Sequence, residues 1–199
     1  MTNEPPRAAI LTRDELKKRL SRGDLIVSPI LEDSQIGHGS IDISLGTQFI
    51  TNVRPHVSDI NPRELTKETI RKFQRLIVVP FHEKFVLHPG GFLLGATFEY
   101  ISLPTDIAGF VLSRSSYGRA GPLIATATYI HPGWKGCLTL ELENLGEVPI
   151  ALWPASYVGQ LVLCRADEIS RPTLKSVPVG PVFSTLSENS RWDKLRNKR

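Results

Sequence analysis

With 199 residues, 41% of them hydrophobic and 22% charged, the chain has the size and composition of one globular domain that buries a core without disulfides or structural metal. A net charge of +4 is too mild to announce nucleic acid as a partner. The two cysteines, Cys137 and Cys164, exclude a disulfide framework and read as buried free thiols of a cytoplasmic protein. Residues 1–9 carry no apolar leader and no run approaches the length of a membrane span, so no membrane partner is expected.

Taken in chain order, Thr12-Arg13-Asp14-Glu15 fits a capping box, in which the Thr12 hydroxyl caps the Glu15 amide and Glu15 reaches back. Leu11 and Leu16 stand at the positions of a hydrophobic staple, and Gly23 ends the short helix. Ile41, Ile43 and Leu45 alternate with Asp42 and Ser44, which predicts a half-buried strand stopping at Gly46. Asn61-Pro62 opens a second short helix with Leu65, Thr69 and Phe73 on one face and charged flanks. Thereafter the pattern is strand upon strand, at 76–79, 84–87, 92–100, 108–113, 123–130, 136–143, 150–152 and 160–165. Pro89-Gly90-Gly91, Pro104-Thr105-Asp106, Pro132-Gly133, Asn144-Leu145-Gly146 and Pro154-Ala155 supply the turns. Short strands at this spacing imply a sandwich, jelly roll or barrel. The end of the chain is polar and basic, with Arg191, Lys194, Arg196, Lys198 and Arg199 against Asp193.

The chemistry concentrates in residues 113–144. Arg114, Ser115, Ser116 and Arg119 form a set of guanidinium and hydroxyl donors suited to phosphate oxygens, with Gly118 and Gly121 for close backbone approach. A helical turn over 115–120 would add its first amides. An apolar strand follows, turns at Pro132-Gly133 as the inner pair of a type II turn, and returns carrying Glu141. On that return strand Leu138, Leu140 and Leu142 share one face, and Thr139, Glu141 and Glu143 the other. A carboxylate in mid-strand has two explanations: an exposed sheet face, or a general base that activates water, its pKa tuned by burial. Counting back from the turn places Glu141 opposite the 124–126 region, where small side chains leave room for a planar ring. Other constellations are missing. The His-x-Glu and Pro-Cys-x-x-Cys pattern of zinc deaminases does not occur, and the five histidines (38, 56, 82, 88, 131) show no ligand spacing. Nor is there a nucleophile elbow, a Walker loop or a dinucleotide glycine fingerprint.

The segment SRSSYGRAG, followed by a strand, I-x-P-G-W-x-G-C and L-E-L-x-N, resembles the dCTP deaminase branch of the dCTP deaminase/dUTPase superfamily. IDISLG near residue 41, FVLHPGGFLLGATFEYISLPTDIAGFVLSRSS and VPIALWPASYVGQLVL extend the likeness over about residues 10–165. The resemblance implies a mainly β fold, a distorted jelly roll (β-clip, dUTPase-like) with short peripheral helices. It implies one domain over 1–199, with 170–199 as a basic tail, assembled as a homotrimer with sites between subunits. It also implies deamination without zinc: Glu141 helps a water attack cytosine C4, Ser115 and Arg119 belong to the active site, and ammonia leaves. Arg114 and Ser116 match positions that hold the triphosphate with its Mg²⁺, and Thr126-Ala127 matches backbone positions lining the base pocket.

There are departures. The dUTP-hydrolysing and bifunctional relatives, and many deaminases, carry an aspartate where this chain has His131, and an imidazole does not replace a carboxylate that activates water. The stretch between Arg119 and the turn is one residue shorter than in common deaminases, and Thr128 stands where histidine is frequent. In the tail, Lys194 fits the family lysine that closes over the triphosphate, Lys198 stands in for a glutamine, and Ser187 falls where tyrosine would be. The first expectation is therefore deamination of dCTP to dUTP and ammonia. The alternatives are a dUTP pyrophosphatase or bifunctional enzyme, and a non-catalytic nucleotide-binding regulator.

Overall fold

The computed structural model describes residues 9–53, 67–119, 121–124 and 129–167. Over these the chain forms α1 (Arg13–Arg22), β1 (Ile26–Ser28), a 3₁₀ turn (Asp33–Gln35), β2 (Ile41–Asn52), α2 (Lys67–Phe73), β3 (Gln74–Val78) and β4 (Phe85–Leu87). There follow β5 (Phe92–Ser102), β6 (Ile107–Ser113), α3 (Ser115–Gly118), β7 (Pro122–Ile124), β8 (Tyr129–Ile130), β9 (Lys135–Asn144), β10 (Ile150–Leu152) and β11 (Tyr157–Arg165). The fold class is as expected: a mainly β chain whose strands make one curled, nine-stranded sheet, with β4 and β10 as a separate ribbon. The path runs β7-β9-β5-β2-β11-β6-β8, with β1 added on β5 and β3 on β2.

β2 makes the sheet curl. Its first residues pair with β11, from Ile41 opposite Leu161 to Ser44 opposite Tyr157. Its later residues pair with β5 and β3. The strand does not stop at Gly46. A Cβ there would stand 3.3 Å from the Ala96 carbonyl oxygen, so the missing side chain lets β2 bend against β5 and continue. Three register shifts meet around this bend, at Leu45/Phe49, Ala96/Tyr100 and Tyr157/Gly159. Bulges interrupt a ladder and leave backbone groups without their usual partners.

Two side chains of β5 repair the interruption. Thr97 Oγ1 accepts from the Leu138 N–H at 2.9 Å and donates to the Glu99 carbonyl at 2.8 Å. The Glu99 carboxylate, 1% exposed, accepts from the Ser44 N–H (2.9 Å), the Ser44 hydroxyl (2.7 Å) and Gln35 Nε2 (3.2 Å). Burial pushes the Glu99 carboxyl up, and the bonds from Ser44 and Gln35 pull it back toward the ionised form. Around this polar point the inward faces of both halves of the sheet pack as one core, with Leu16, Ile41, Ile43, Leu45, Leu140 and Leu161 all fully buried. Phe49 stacks on Phe85 at 5.6 Å and ties the ribbon to the sheet.

The central hairpin is split. The turn itself forms: Gly133 has φ 79° and the Trp134 N–H reaches the His131 carbonyl at 3.2 Å. β7 pairs with β9, but β8 pairs with β6, with Gly109 opposite Ile130. Glycine decides this: a Cβ on Gly109 would stand 3.2 Å from the Ile130 side chain and 3.1 Å from that of Leu163. Ile130 therefore buries over Gly109 instead of continuing along β9. Residues 125–128, and the start of the second helix at Asn61-Pro62, lie outside the described residues.

Helix α1 ends at Gly23 as expected, with φ 76°. Leu11 and Leu16 are both buried, as a staple requires. The capping box does not form. The Thr12 side chain makes no cap bond, and the Glu15 carboxylate is held by cations instead of reaching back. Glu15 meets Arg165 at 3.1 Å and Arg19 at 3.4 Å, and Arg19 also meets Asp106 and Asp24 at 2.7 Å. Partial burial alone would push the Glu15 carboxyl up, yet the hydrogen bonds from Arg165 and Arg19 outweigh it and hold it below the ordinary value of 4.5. A depressed acid stabilises the fold above its unfolded value, and that stabilisation is lost as pH falls through the folded value. Glu15→Gln should therefore melt lower than the parent at pH 7. The gap between the two melting temperatures should close as pH falls below 4.5, and a gap that persists in acid would assign the loss to packing.

Candidate active site

The arginine–serine set read as a candidate anion site begins where β6 ends. The Arg114 N–H bonds the Val158 carbonyl at 3.2 Å, which fixes the chain just before α3. The Arg114 guanidinium lies 3.4 Å from Asp42 Oδ2 and over the Tyr157 ring, 5.5 Å from its centroid. Tyr157 in turn donates to Glu32 Oε1 at 3.1 Å. Burial, with the Glu32 bond second, pushes the Tyr157 phenol up, so it stays a donor. Ser115 opens α3 and is exposed, and Arg119 closes it and is exposed. Ser116 lies within α3.

Two details of the expected phosphate loop change. Only four residues are helical, and the amides of Tyr117 and Gly118 are already spent on the Arg114 carbonyl at 3.0 and 2.9 Å. Those two amides are therefore not available to an anion. Gly118 faces open space, while a Cβ on Gly121, at φ 104°, would stand 3.3 Å from the Gly146 Cα. The positive φ of the second glycine serves the turn into β7.

Glu141 stands on β9 opposite Leu94, half-buried, on the face it shares with Thr139 and Glu143. Its neighbour Leu142 pairs with Ile124, so Glu141 lies one step beyond the paired part of β7. The chain that leaves the arginine–serine turn thus leads directly to the strand beside the carboxylate. Asn144 holds this end of β9. Fully buried, it donates to the Leu87 and Val148 carbonyls at 2.9 Å and accepts from the Gly146 N–H at 2.9 Å. The asparagine of L-E-L-x-N is thus a loop organiser, three residues from the carboxylate it helps to place.

His131 begins the turn into β9, exposed, with its ring edge-on to Tyr129 at 4.7 Å. Thr126, Ala127, Lys194 and Lys198 lie outside the described residues. A cavity of about 460 Å³ opens elsewhere, between α1 and β1, with Leu20, Leu25, Val27 and Ile30 in its largely apolar wall. Among the described residues, no group of three or more His, Cys, Asp or Glu could hold a metal ion, and no helix is long and apolar enough to cross a membrane.

Sequence reasoning passed over Asp42, Tyr157 and Glu99. The signal for Glu99 was available: a carboxylate inside the apolar run FLLGATFEYIS must be paired or exposed. That test was applied to Glu141, whereas Glu99 is the more deeply buried of the two.

The model of the dCTP deaminase-like family matches residues 10–166. The dCTP deaminase of Halorubrum lacusprofundi is 41% identical over 155 residues, spanning 77% of this chain and 75% of that protein. The "dCTP deaminase, dUMP-forming" of Rhodococcus jostii is 37% identical over 175 residues, spanning 87% and 90%. Among solved structures, the 2′-deoxycytidine 5′-triphosphate deaminase of Agrobacterium tumefaciens matches at a TM-score of 0.61 and 20% identity, a likeness of fold. That match covers 79% of this chain and 48% of the other, so the chain spans about half of that protein's length. Curled sheet, arginine–serine turn and strand glutamate thus occur together in a chain that belongs to the dCTP deaminase-like family.

Proposed function

We propose that the protein deaminates dCTP hydrolytically, giving dUTP and ammonia, with the split between Arg114–Arg119 and Glu141 as the observation that carries the reading. One end offers guanidinium and hydroxyl donors for a phosphate chain, and the other offers a half-buried carboxylate beside an apolar sheet. In the reaction, water adds to C4 of the cytosine, the ring carries the resulting tetrahedral carbon, and the C4–N bond breaks. Glu141 takes one proton from the water and passes it to the departing amine while ring N3 takes up the other, so that ammonia leaves and the carbonyl of uracil forms. Ser115 and Arg119 face the reacting ring, where donors would stabilise charge as it develops. Arg114 and Ser116 grip the triphosphate, the backbone at Thr126 and Ala127 reads the ring edge, and Lys194 and Lys198 close on the phosphates.

Mg²⁺ would neutralise phosphate charge. The donor set fits a metal brought in on the nucleotide, because Asp42, the carboxylate beside Arg114, is already engaged by that arginine and by Gln160 at 3.2 Å. Zinc has no part in this scheme. The same reading takes the active protein to be a cytoplasmic, single-domain homotrimer with sites between subunits and no nucleic-acid or membrane partner.

Incubation of the purified protein with dCTP and Mg²⁺ should release ammonia and dUTP in equal amounts, without pyrophosphate. The relatives named as dUMP-forming favour a second reading, in which pyrophosphate also leaves; its release would mean that hydrolysis proceeds without the aspartate that His131 replaces. Saturable dCTP binding without ammonia would instead make the protein a nucleotide-binding regulator. Glu141→Gln should lower kcat by roughly a hundredfold or more and leave the dCTP Kd within about threefold. Full turnover by that variant would remove Glu141 from the chemistry.

A further inference from the structure

Arg114 is not a loose surface cation, and the network behind it can be followed inward. One edge of its guanidinium faces Asp42 and one face lies on Tyr157. With five N–H donors in a planar fork, this leaves others for a ligand. Asp42 is itself held twice: its carboxylate accepts from Gln160 Nε2 at 3.2 Å, and its carbonyl accepts from Gln35 Nε2 at 2.9 Å. Gln35 cannot turn over, because its Oε1 accepts the Leu31 N–H at 3.1 Å while Nε2 also donates to Glu99. Tyr157, on the other side of Arg114, is tied to Glu32, which precedes the 3₁₀ turn containing Gln35. Both supports of the arginine therefore lead to one turn, and that turn is pinned to the buried Glu99.

We propose that Asp42 and Glu99 are positioning residues for Arg114, and that they set the affinity of the site for the phosphate chain of its nucleotide. The proposal rests on the reading that Arg114 grips phosphate. A long arginine left free must give up its rotamer freedom on binding, whereas one already held between a carboxylate and an aromatic ring has little left to lose. Asp42 also fixes which edge of the fork remains for bidentate contact. Glu99→Gln would set its new NH₂ group against a donor whichever way the amide turns, Gln35 Nε2 on one side or the Ser44 N–H on the other. Gln35→Met would cut the link between Glu99 and Asp42 while leaving both Ser44 bonds to Glu99.

The test is titration of the full chain, with Mg²⁺, by dCTP and separately by 2′-deoxycytidine, together with steady-state kinetics. Asp42→Asn should weaken dCTP about tenfold, leave deoxycytidine unchanged, and raise KM more than it lowers kcat. Gln35→Met should act in the same direction by about threefold, and it serves if Glu99→Gln fails to fold. In an Arg114→Lys background, Asp42→Asn should add nothing, because its effect passes through the guanidinium. Equal loss of dCTP and deoxycytidine binding, or an undiminished effect in the Arg114→Lys background, would overturn the proposal. If Arg114→Lys alone leaves dCTP binding intact, it is the phosphate role of Arg114 that fails.

Discussion

The buried carboxylate of Glu99 is the contact on which the curled sheet depends. A sheet that bends as sharply as β2 does at Leu45–Gly46 must break its ladder, and the broken ladder leaves backbone groups to be satisfied in the interior. Glu99 meets the Ser44 amide and hydroxyl from the neighbouring strand, and Thr97 meets the Leu138 amide on the other side. An apolar residue at 99 would leave the Ser44 amide orphaned, at a cost of about 1–3 kcal/mol. The carboxylate is costly to bury, and three donors aimed at it are what make the burial tolerable. The third, from Gln35, carries the same order outward to the surface where Arg114 lies.

Structural and chemical roles are thus interleaved along the same strands. β2 contributes Ile41, Ile43 and Leu45 to the core with one face and Asp42 to the arginine with the other. β9 contributes Leu138, Leu140 and Leu142 inward and Glu141 outward, with Asn144 locking its end. The two-residue period of a strand makes this economical, since each second residue is released from packing. It also means that a slip of one residue in β2 or β9 would remove the core and the site together.

Much of this was legible in the sequence because it rests on periodicity and turn chemistry. The alternation in 136–143 predicted the buried leucines and the outward Glu141, and Pro132-Gly133 predicted its turn correctly. What failed depended on contacts between distant residues. The hairpin was expected to be continuous, and the absent side chain of Gly109, about twenty residues away in the chain, redirects Ile130 to β6. Thr12 had the right neighbours for a capping box, and Arg165 from the far end of the domain took Glu15 instead. Gly46 looked like a stop because a glycine after an alternating run often is one; here it is a bend. Of the site, the motif carried the serines, arginines and glutamate by resemblance, whereas Asp42 and Tyr157 became visible only once the strands were paired.

The division of 122–130 between two partners bears on chain length. β7 and β8 are the two ends of the sheet path, three and two residues long, and the same short stretch of chain supplies both. Stubs of this size offer few free backbone groups to a neighbouring strand, which blunts both rims against edge-to-edge association. A surface loop tolerates added residues at small entropic cost, but a tether between two fixed rims has a length set by their separation. Ile124 and Tyr129 stand only five positions apart in the sequence, so the two edges of the sheet are not independent: a change of register in β7 or in β8 would be felt at the other.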